Sequence, residues 1–259
     1  MRLNYGQINL FHTTASRLLH HNACYLLYNS DLLTQPDTAL LNEAIFQQAD
    51  SCQKITVGGR GQAWFIDIFG LSTVLRCYQR GGLVARFNQQ SYLGVRPEHS
   101  RAFREWRLLE WMHGQGLPVP QPVAASVCRW PFNFSPLYRA RILIQRIADT
   151  QTLDYYLGQQ PMDHALWRSI GGCIRVFHNQ GIYHADLNAN NILLDTQQRV
   201  YLIDFDKAEQ RMLSAQPAQW KTANLQRLKR SLLKQQGLSE RYYFREDDWQ
   251  VLVEGYEES

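Results

Sequence analysis

The strongest constraint on this chain is a polar phrase set against an apolar one. Residues 183–195, YHADLNANNILLD, hold Asp186, Asn188, Asn190 and Asn191 in close succession and pass directly into Ile192-Leu193-Leu194. A second phrase follows at 201–208, YLIDFDKA, where an apolar, strand-like run ends on Asp204 and Asp206. A carboxylate at the end of a buried strand needs a partner or water, because an unpaired buried charge is costly. The fold must therefore anchor a polar loop in its core through Ile192 to Leu194 and hold acids rigidly at strand ends, an arrangement that suits function more than loop punctuation.

The surrounding segments suggest elements of both kinds. Residues 58–99 are rich in Gly, Arg and aromatic residues and contain short β-like runs. Residues 100–114, SRAFREWRLLEWMHG, read as a helix that Ser100 caps and Gly114 ends. GLPVPQPVAA is an extended, Pro-rich connection, and PLYRARILIQRI is strand-like. Apolar residues at 166, 170, 174 and 177 predict a helix with Asp163 as its cap and Gly181 as its stop. WKTANLQRLKRSLLKQQG reads as another helix. Strands, one main helix, more strands and then mostly helices predict an α+β chain. Its two unequal lobes would be residues 1–147 and 148–259, joined near Gln145 to Asp149.

Composition removes several classes. The 259 residues are 45% hydrophobic, enough for a sizeable core and against disorder. The net charge of +4 is a mild excess that fits anionic partners without demanding nucleic acid. The five cysteines are scattered, with no CxxC pair or metal-ligand spacing, and are expected to be reduced thiols of a cytosolic protein. The N-terminus lacks the apolar core of a signal peptide, and no run reaches the ~20 apolar residues of a membrane span.

The two phrases also carry a chemistry. His184, Asp186 and Asn191 make H-x-D-x-x-x-x-N, and Asp204 lies eighteen positions beyond Asp186. This is the spacing of protein-kinase-like phosphotransferases. A loop aspartate takes the proton of an acceptor hydroxyl, while an asparagine oxygen and a second carboxylate are hard ligands suited to Mg²⁺. Taken singly, Asp186 reads equally as an Asx-turn residue, Asn191 as a helix cap and Asp204 as an edge-strand carboxylate. The first half should then supply a phosphate cover and a cation. GGRGQAWF, from Gly58 with Gly59, Arg60 and Gly61, fits a glycine hairpin over phosphates, although such turns are common. Arg76 ends the run STVLR where the V-A-I-K pattern has lysine. Its guanidinium is a planar fork instead of a point charge. Glu105 aligns with Ala102, Leu108, Leu109 and Met112, so it should face inward and want a cation; its plainer reading is a surface pair with Arg101. His20 and His21 are adjacent and unsuited to one metal. His178 ends a helix where a cation is favourable, and His184 organises the loop instead of shuttling a proton.

With GGRGQAWF, VLRCYQRGGLVAR, SRAFREWRLL, GLPVPQPVAA, HADLNANNILLD, LIDFDKAE and WKTANLQRLKRSLLK on the page, the chain resembles the lipopolysaccharide core kinase family, on its 3-deoxy-D-manno-octulosonic acid (Kdo) side. The matching phrases run from about residue 55 to 235, and the Arg-Gly-Gly and the Asn-rich loop are their most specific parts. The resemblance implies a bilobal protein-kinase-like fold with a β-rich first lobe and a mostly helical second. It implies transfer of the ATP γ-phosphate to the 4-hydroxyl of a Kdo sugar on a lipid A precursor. Carried over, Asp186 is the catalytic base and Asn191 and Asp204 hold metal. Gly59, Arg60, Gly61, Arg76, Glu105, Gln145 and Ile147 serve ATP. Arg80, Arg86 and Arg96 could meet the anionic groups of such an acceptor, or form a solvated, twisted hairpin, and Asn188 is a further acceptor candidate. Asp206 stands where protein kinases have glycine and Asn188 where they have lysine. The short stretch after Asp206 leaves little room for a peptide platform. A lipid-linked acceptor places the protein peripherally on the cytoplasmic side of the inner membrane. The helix cations Arg227, Arg230 and Lys234 would meet anionic lipid there, or form an ordinary solvated face. Two other readings are a kinase for another core sugar, such as heptose, and a nucleotide-binding scaffold without turnover, which Arg76 in place of lysine keeps open.

Overall fold

The computed structural model describes residues 15–36, 40, 42–55, 62–78, 92–93, 96–129, 132–135, 137–211 and 219–258. Gly59, Arg60, Gly61, Arg80 and Arg86 lie outside the described residues. The chain forms two compact units. One joins Pro120–Arg146 to the described residues up to Gly114, and the other joins Gln115–Val119 to Ile147 and all that follows.

The first unit contains β1 (Ser16–His21), β2 (Cys24–Asn29), the single turn α1 (Ile45–Gln48), β3 (Ser51–Ile55), β4 (Gln62–Ile68), β5 (Leu71–Cys77), β6 (Tyr92–Leu93), α2 (Arg101–Gly114), β7 (Pro122–Arg129) and β8 (Leu137–Gln145). The strands form one antiparallel sheet in the order β1-β2-β7-β8-β5-β4-β3, with β6 against β8. Strands β4 and β5 meet in a two-residue turn whose central residues, Phe69 and Gly70, both have positive φ (57° and 73°), the backbone a tight right-twisted hairpin demands. Leu26, Ile66, Ile68, Leu75, Val123 and Leu143 interlock as one core cluster, with Leu33 and Ile45 beside them. Helix α2 packs on β7 and β8, burying Phe103, Trp106, Leu109 and Met112. The Ser100 hydroxyl accepts the Phe103 N–H as its cap. The Pro-rich connection proves shorter than its sequence suggests, since Pro122 already starts β7.

One expectation fails in this unit. His20 and His21, unsuited to one metal, are structural, since LLHHNACY turns the β1–β2 hairpin, with Asn22 at φ 53° and His20 stacked on Tyr25. The failure is in the cysteines, which are not all reduced. Cys24 and Cys128 face each other across β2 and β7, with Cα atoms 4.1 Å apart, and form a disulfide. Widely separated in sequence, they gave no spacing signal; strand register alone brings them together.

The second unit contains β9 (Thr150–Thr152), α3 (Leu153–Gln159), α4 (His164–Asn179), β10 (Ile182–Tyr183), β11 (Ile192–Asp195), β12 (Val200–Leu202), β13 (Glu209–Gln210), α5 (Gln219–Leu238) and α6 (Glu246–Glu258). Strands β12, β11 and β9 make one small antiparallel sheet, and β10 pairs with β13 in another. Helix α4 begins as expected, the Asp163 carboxylate accepting the Leu166 N–H at 2.8 Å. Just past its C-terminus Gly181 has φ +76°, in the left-handed region that glycine enters at least cost. Among the described residues, no helix is long and apolar enough to cross a membrane.

Candidate functional site

The loop between β10 and β11 explains its own asparagines. The Asn188 side-chain oxygen accepts the Asn190 N–H and starts a short 3₁₀ turn at Ala189–Asn191. The amide nitrogens of Asn188 and Asn191 both donate to the Asp186 carbonyl, each at 2.9 Å. On the other side, His184 Nδ1 accepts the Asp186 N–H at 3.2 Å. Its Nε2 therefore keeps the proton and donates to the Ile203 carbonyl at 2.8 Å. Burial, the dominant influence on His184, pushes its pKa down, so the ring is neutral and serves as a strut. Leu187, Ala189 and Ile192 are buried beneath the loop. Both backbone groups of Asp186 are thus fixed while its side chain remains 59% exposed. Both ends of the Asn188 amide are taken up by the loop itself.

Strand pairing brings the second acid phrase to the same place. Leu202 faces Ile192 across β12 and β11, and the Ile203 N–H donates to the Asn191 carbonyl at 3.0 Å. Asn191 is buried, its nitrogen engaged by Asp186, and among the described residues its Oδ1 has no partner. Asp204 follows with φ 66°, a left-handed backbone that costs a non-glycine residue roughly 1 kcal/mol or more. Phe205 locks this turn by packing between Phe177 and His184, at ring separations of 5.8 and 4.8 Å. Asn191 and Asp204 therefore sit on adjacent backbone and offer one amide and one carboxylate oxygen, hard donors that fit Mg²⁺ completed by water and phosphate. Among the described residues no three His, Cys, Asp or Glu side chains cluster as a metal site.

In the first unit, Arg76 on β5 donates to Glu105 on α2 at 2.7 Å. The Glu105 side chain is 1% exposed, so it faces inward as its alignment with the apolar stripe predicts. Tyr78, unforeseen from the sequence, donates its hydroxyl to the other Glu105 oxygen. Arg101, the alternative partner, instead lies over the Tyr78 ring at 5.3 Å. Gln145 closes β8, its N–H bonded to the Gln121 carbonyl. In the second unit, the Ile147 carbonyl accepts the Thr150 hydroxyl, and the Ile147 N–H has no partner among the described residues.

Helix α5 adds a face that sequence reasoning missed. Asn224, Arg227 and Ser231, at i, i+3 and i+7, all reach the polar loop. The Asn224 side chain receives the His184 N–H and donates to the His184 carbonyl. Arg227 Nη1 meets Asp186 Oδ1 at 3.3 Å, and the Ser231 hydroxyl accepts the Ala189 N–H. Asn224 also accepts from His178 Nε2, whose Nδ1 faces the Tyr256 hydroxyl at 2.9 Å. His178 is therefore not the favourable helix-end cation expected. Burial pushes its pKa down to about 4, and it is a neutral relay of hydrogen bonds. The available signal was Asn224 itself, an amide on the stripe of Leu228 and Leu232, where an unpaired polar group would be costly.

Known proteins are similar to this chain over most of its length. The chain is 36% identical over 248 residues to a 3-deoxy-D-manno-octulosonic acid kinase of Actinobacillus succinogenes, covering 92% of this chain and 98% of that protein. It is 38% identical over 245 residues to the kinase of that name in Mannheimia succiniciproducens, with the same coverage of both chains. A third, from Photobacterium damsela subsp. piscicida, is 36% identical over 231 residues, 88% of this chain and 91% of its own. Residues 49–256, which include Arg76, Glu105, the braced loop and α5, match the sequence model of the Lipopolysaccharide kinase (Kdo/WaaP) family, and the chain belongs to that family.

Proposed function

We propose that this protein transfers the γ-phosphoryl group of ATP to a Kdo sugar of a Kdo-lipid A precursor, at the 4-hydroxyl, in building the lipopolysaccharide inner core. The single observation that carries the reading is Asp186, with both backbone groups fixed and its carboxylate exposed. Positioning of this kind is most of what a protein contributes to phosphoryl transfer. The acceptor hydroxyl gives its proton to Asp186 as its oxygen bonds to the γ-phosphorus. The bond to the bridging oxygen breaks, ADP leaves, and the proton passes from Asp186 to water. Asn191 and Asp204 would hold Mg²⁺, which neutralises charge on the phosphate oxygens.

In the protein-kinase-like, two-lobed arrangement we infer, residues 1–147 cover the nucleotide and 148–259 carry the loop. Arg76, oriented by Glu105, serves the α- and β-phosphates, with Gly59, Arg60 and Gly61 as their cover. Gln145 and Ile147 border the base, where the Ile147 N–H is available to an acceptor nitrogen. Arg80 and Arg86 remain candidates for the anionic acceptor. A lipid-linked substrate puts the enzyme on the cytoplasmic face of the inner membrane, and the exposed Arg230 and Lys234 of α5 suit anionic lipid there.

The test is transfer from labelled ATP, with Mg²⁺, to Kdo-lipid A precursor, the modified hydroxyl being located by fragmentation mass spectrometry. One phosphate on the Kdo 4-hydroxyl is expected, and Asp186→Ala should lower kcat by at least about 100-fold. Transfer to a heptose acceptor but not to Kdo would move the substrate. ATP binding without transfer to any acceptor would leave a scaffold.

A further inference from the structure

Helix α5 places a guanidinium beside the acid read as the catalytic base. The loop from Tyr183 to Asp195 contains no Lys or Arg of its own. Arg227 supplies a cation from outside it, with Nη1 at 3.3 Å from Asp186 Oδ1. Four other cations of this unit are held by acids of their own: Lys229 with Glu246, Arg211 with Glu209, Arg168 with Glu254, Arg199 with Asp195. One contact uses one of the five N–H groups of Arg227, and the remainder have no protein partner among the described residues. The pair does little for stability, because Arg227 and Asp186 are 43% and 59% exposed and water screens such ion pairs. The helix is nevertheless fixed in register on both sides of Arg227, by Asn224 on His184 and Ser231 on Ala189. The guanidinium is therefore delivered to the carboxylate by a braced element.

A sugar acid brings its own carboxylate to this place. Its hydroxyl must come within hydrogen-bond distance of Asp186, so its carboxylate approaches a second anion and is repelled unless a cation lies between them. The phosphates of the donor already have Arg76 and the Mg²⁺ that Asn191 and Asp204 would hold. We propose that Arg227 is the acceptor-binding, specificity-determining cation of this kinase, holding the carboxylate of the sugar acid through its remaining N–H groups while one stays on Asp186. This rests on Asp186 being the base.

The experiment compares two acceptors, the Kdo-lipid A precursor and the same molecule with its carboxylate converted to a primary amide. Wild-type protein should favour the acid by about 30-fold or more in kcat/KM, the worth of a charge-assisted contact. Arg227→Ala should lose about that factor on the acid, chiefly as a higher acceptor KM, and change little on the amide. Its KM for ATP and its melting midpoint should stay close to wild type, and Arg227→Lys should recover part of the loss. Equal impairment on both acceptors, or none on either, would overturn the proposal. Asp186→Asn separates the two readings. It should abolish transfer to acid and amide alike, and an active Asp186→Asn would remove the base assignment whatever Arg227 does.

Discussion

Asp186 carries almost no long-range contact of its own, yet six hydrogen-bonding groups around it decide where it points. The loop supplies three of them, the amides of Asn188 and Asn191 and the ring of His184; α5 supplies the others, from Asn224, Arg227 and Ser231. At this scale the most exposed dependence is the Arg76–Glu105 pair. Replacing Arg76 with Met leaves a carboxylate that is 1% exposed without its guanidinium, and breaking a buried ion pair in this way costs about 3 kcal/mol. Urea unfolding should show that loss, with a raised KM for ATP. Arg76→Lys keeps the charge and should retain most of the stability, though not the forked geometry. An unchanged urea midpoint for Arg76→Met would mean that the pair is not buried in solution. Asp186, Asn191, Asp204, Arg76 and Glu105 could be singled out in the sequence, because each stands at a position of the phosphotransferase pattern. Tyr78 and Asn224 were not, and Arg227 was read only as a helix cation for anionic lipid or a solvated face. Their contacts, 27, 40 and 41 positions away, belong to no phosphotransferase spacing of the kind that flagged Arg76 and Glu105, themselves 29 positions apart.

Among the elements, the close crossing of α4 and α6 is the most sensitive to substitution. A Cβ at Gly171 would land on the Leu252 carbonyl oxygen and 2.7 Å from the Tyr256 N–H nitrogen. One at Gly255 would land on the Arg168 carbonyl oxygen and 2.5 Å from its Cα. These are backbone atoms inside helices, which cannot swing aside as a side chain would. Gly171→Ala should therefore force the helices apart and cost about 2 kcal/mol, and the same holds for Gly255→Ala. The double variant should cost less than the sum, since the first substitution opens the crossing for the second. Chemical denaturation of the three variants tests this, and full additivity would place the two glycines at independent contacts. The elements themselves were largely readable: α2, α4, α5 and β8 follow from apolar spacing and from the caps Ser100 and Asp163. The β1–β2 hairpin, α3 and α6 were not read. The hairpin alternates weakly because much of β1 is exposed, and α6 opens on Glu246-Asp247-Asp248, which looks like a solvated tail until Trp249 and Leu252 are buried against its neighbours. The basic side of α5 was read as one face. Its geometry divides it, Arg227 turning to the loop while Arg230 and Lys234 stay exposed.

On the scale of the molecule, one chain of hydrogen bonds links four elements of the second unit to the loop. It runs from Tyr256 on α6 through His178 on α4 and Asn224 on α5 to His184, and ends at Ile203 beyond β12. Its two histidines are neutral at pH 7, His184 because its Nδ1 accepts the Asp186 N–H and His178 because burial pushes its pKa down to about 4. Stability should follow from this. His178 titrates near 6.5 in the unfolded chain and is pushed down to about 4 in the folded one, burial being the main cause. Between those values the unfolded chain binds more protons than the folded one, so stability rises with pH across the window. The stabilisation is complete above pH 6.5 and is lost as pH falls toward 4, amounting to about 3 kcal/mol for His178 at full extent. His184, shifted in the same direction by burial, adds to the effect. Urea midpoints between pH 4.5 and 8 should therefore fall steeply on the acid side for the wild type. His178→Gln retains a donor and an acceptor but does not titrate, so its curve should fall less steeply. The gap between the two proteins should close progressively below pH 6.5, leaving the His184 contribution in both. Parallel curves through that window would mean that His178 is not held neutral, and the relay from Tyr256 to Asn224 would then have to be redrawn with a charged ring at its centre.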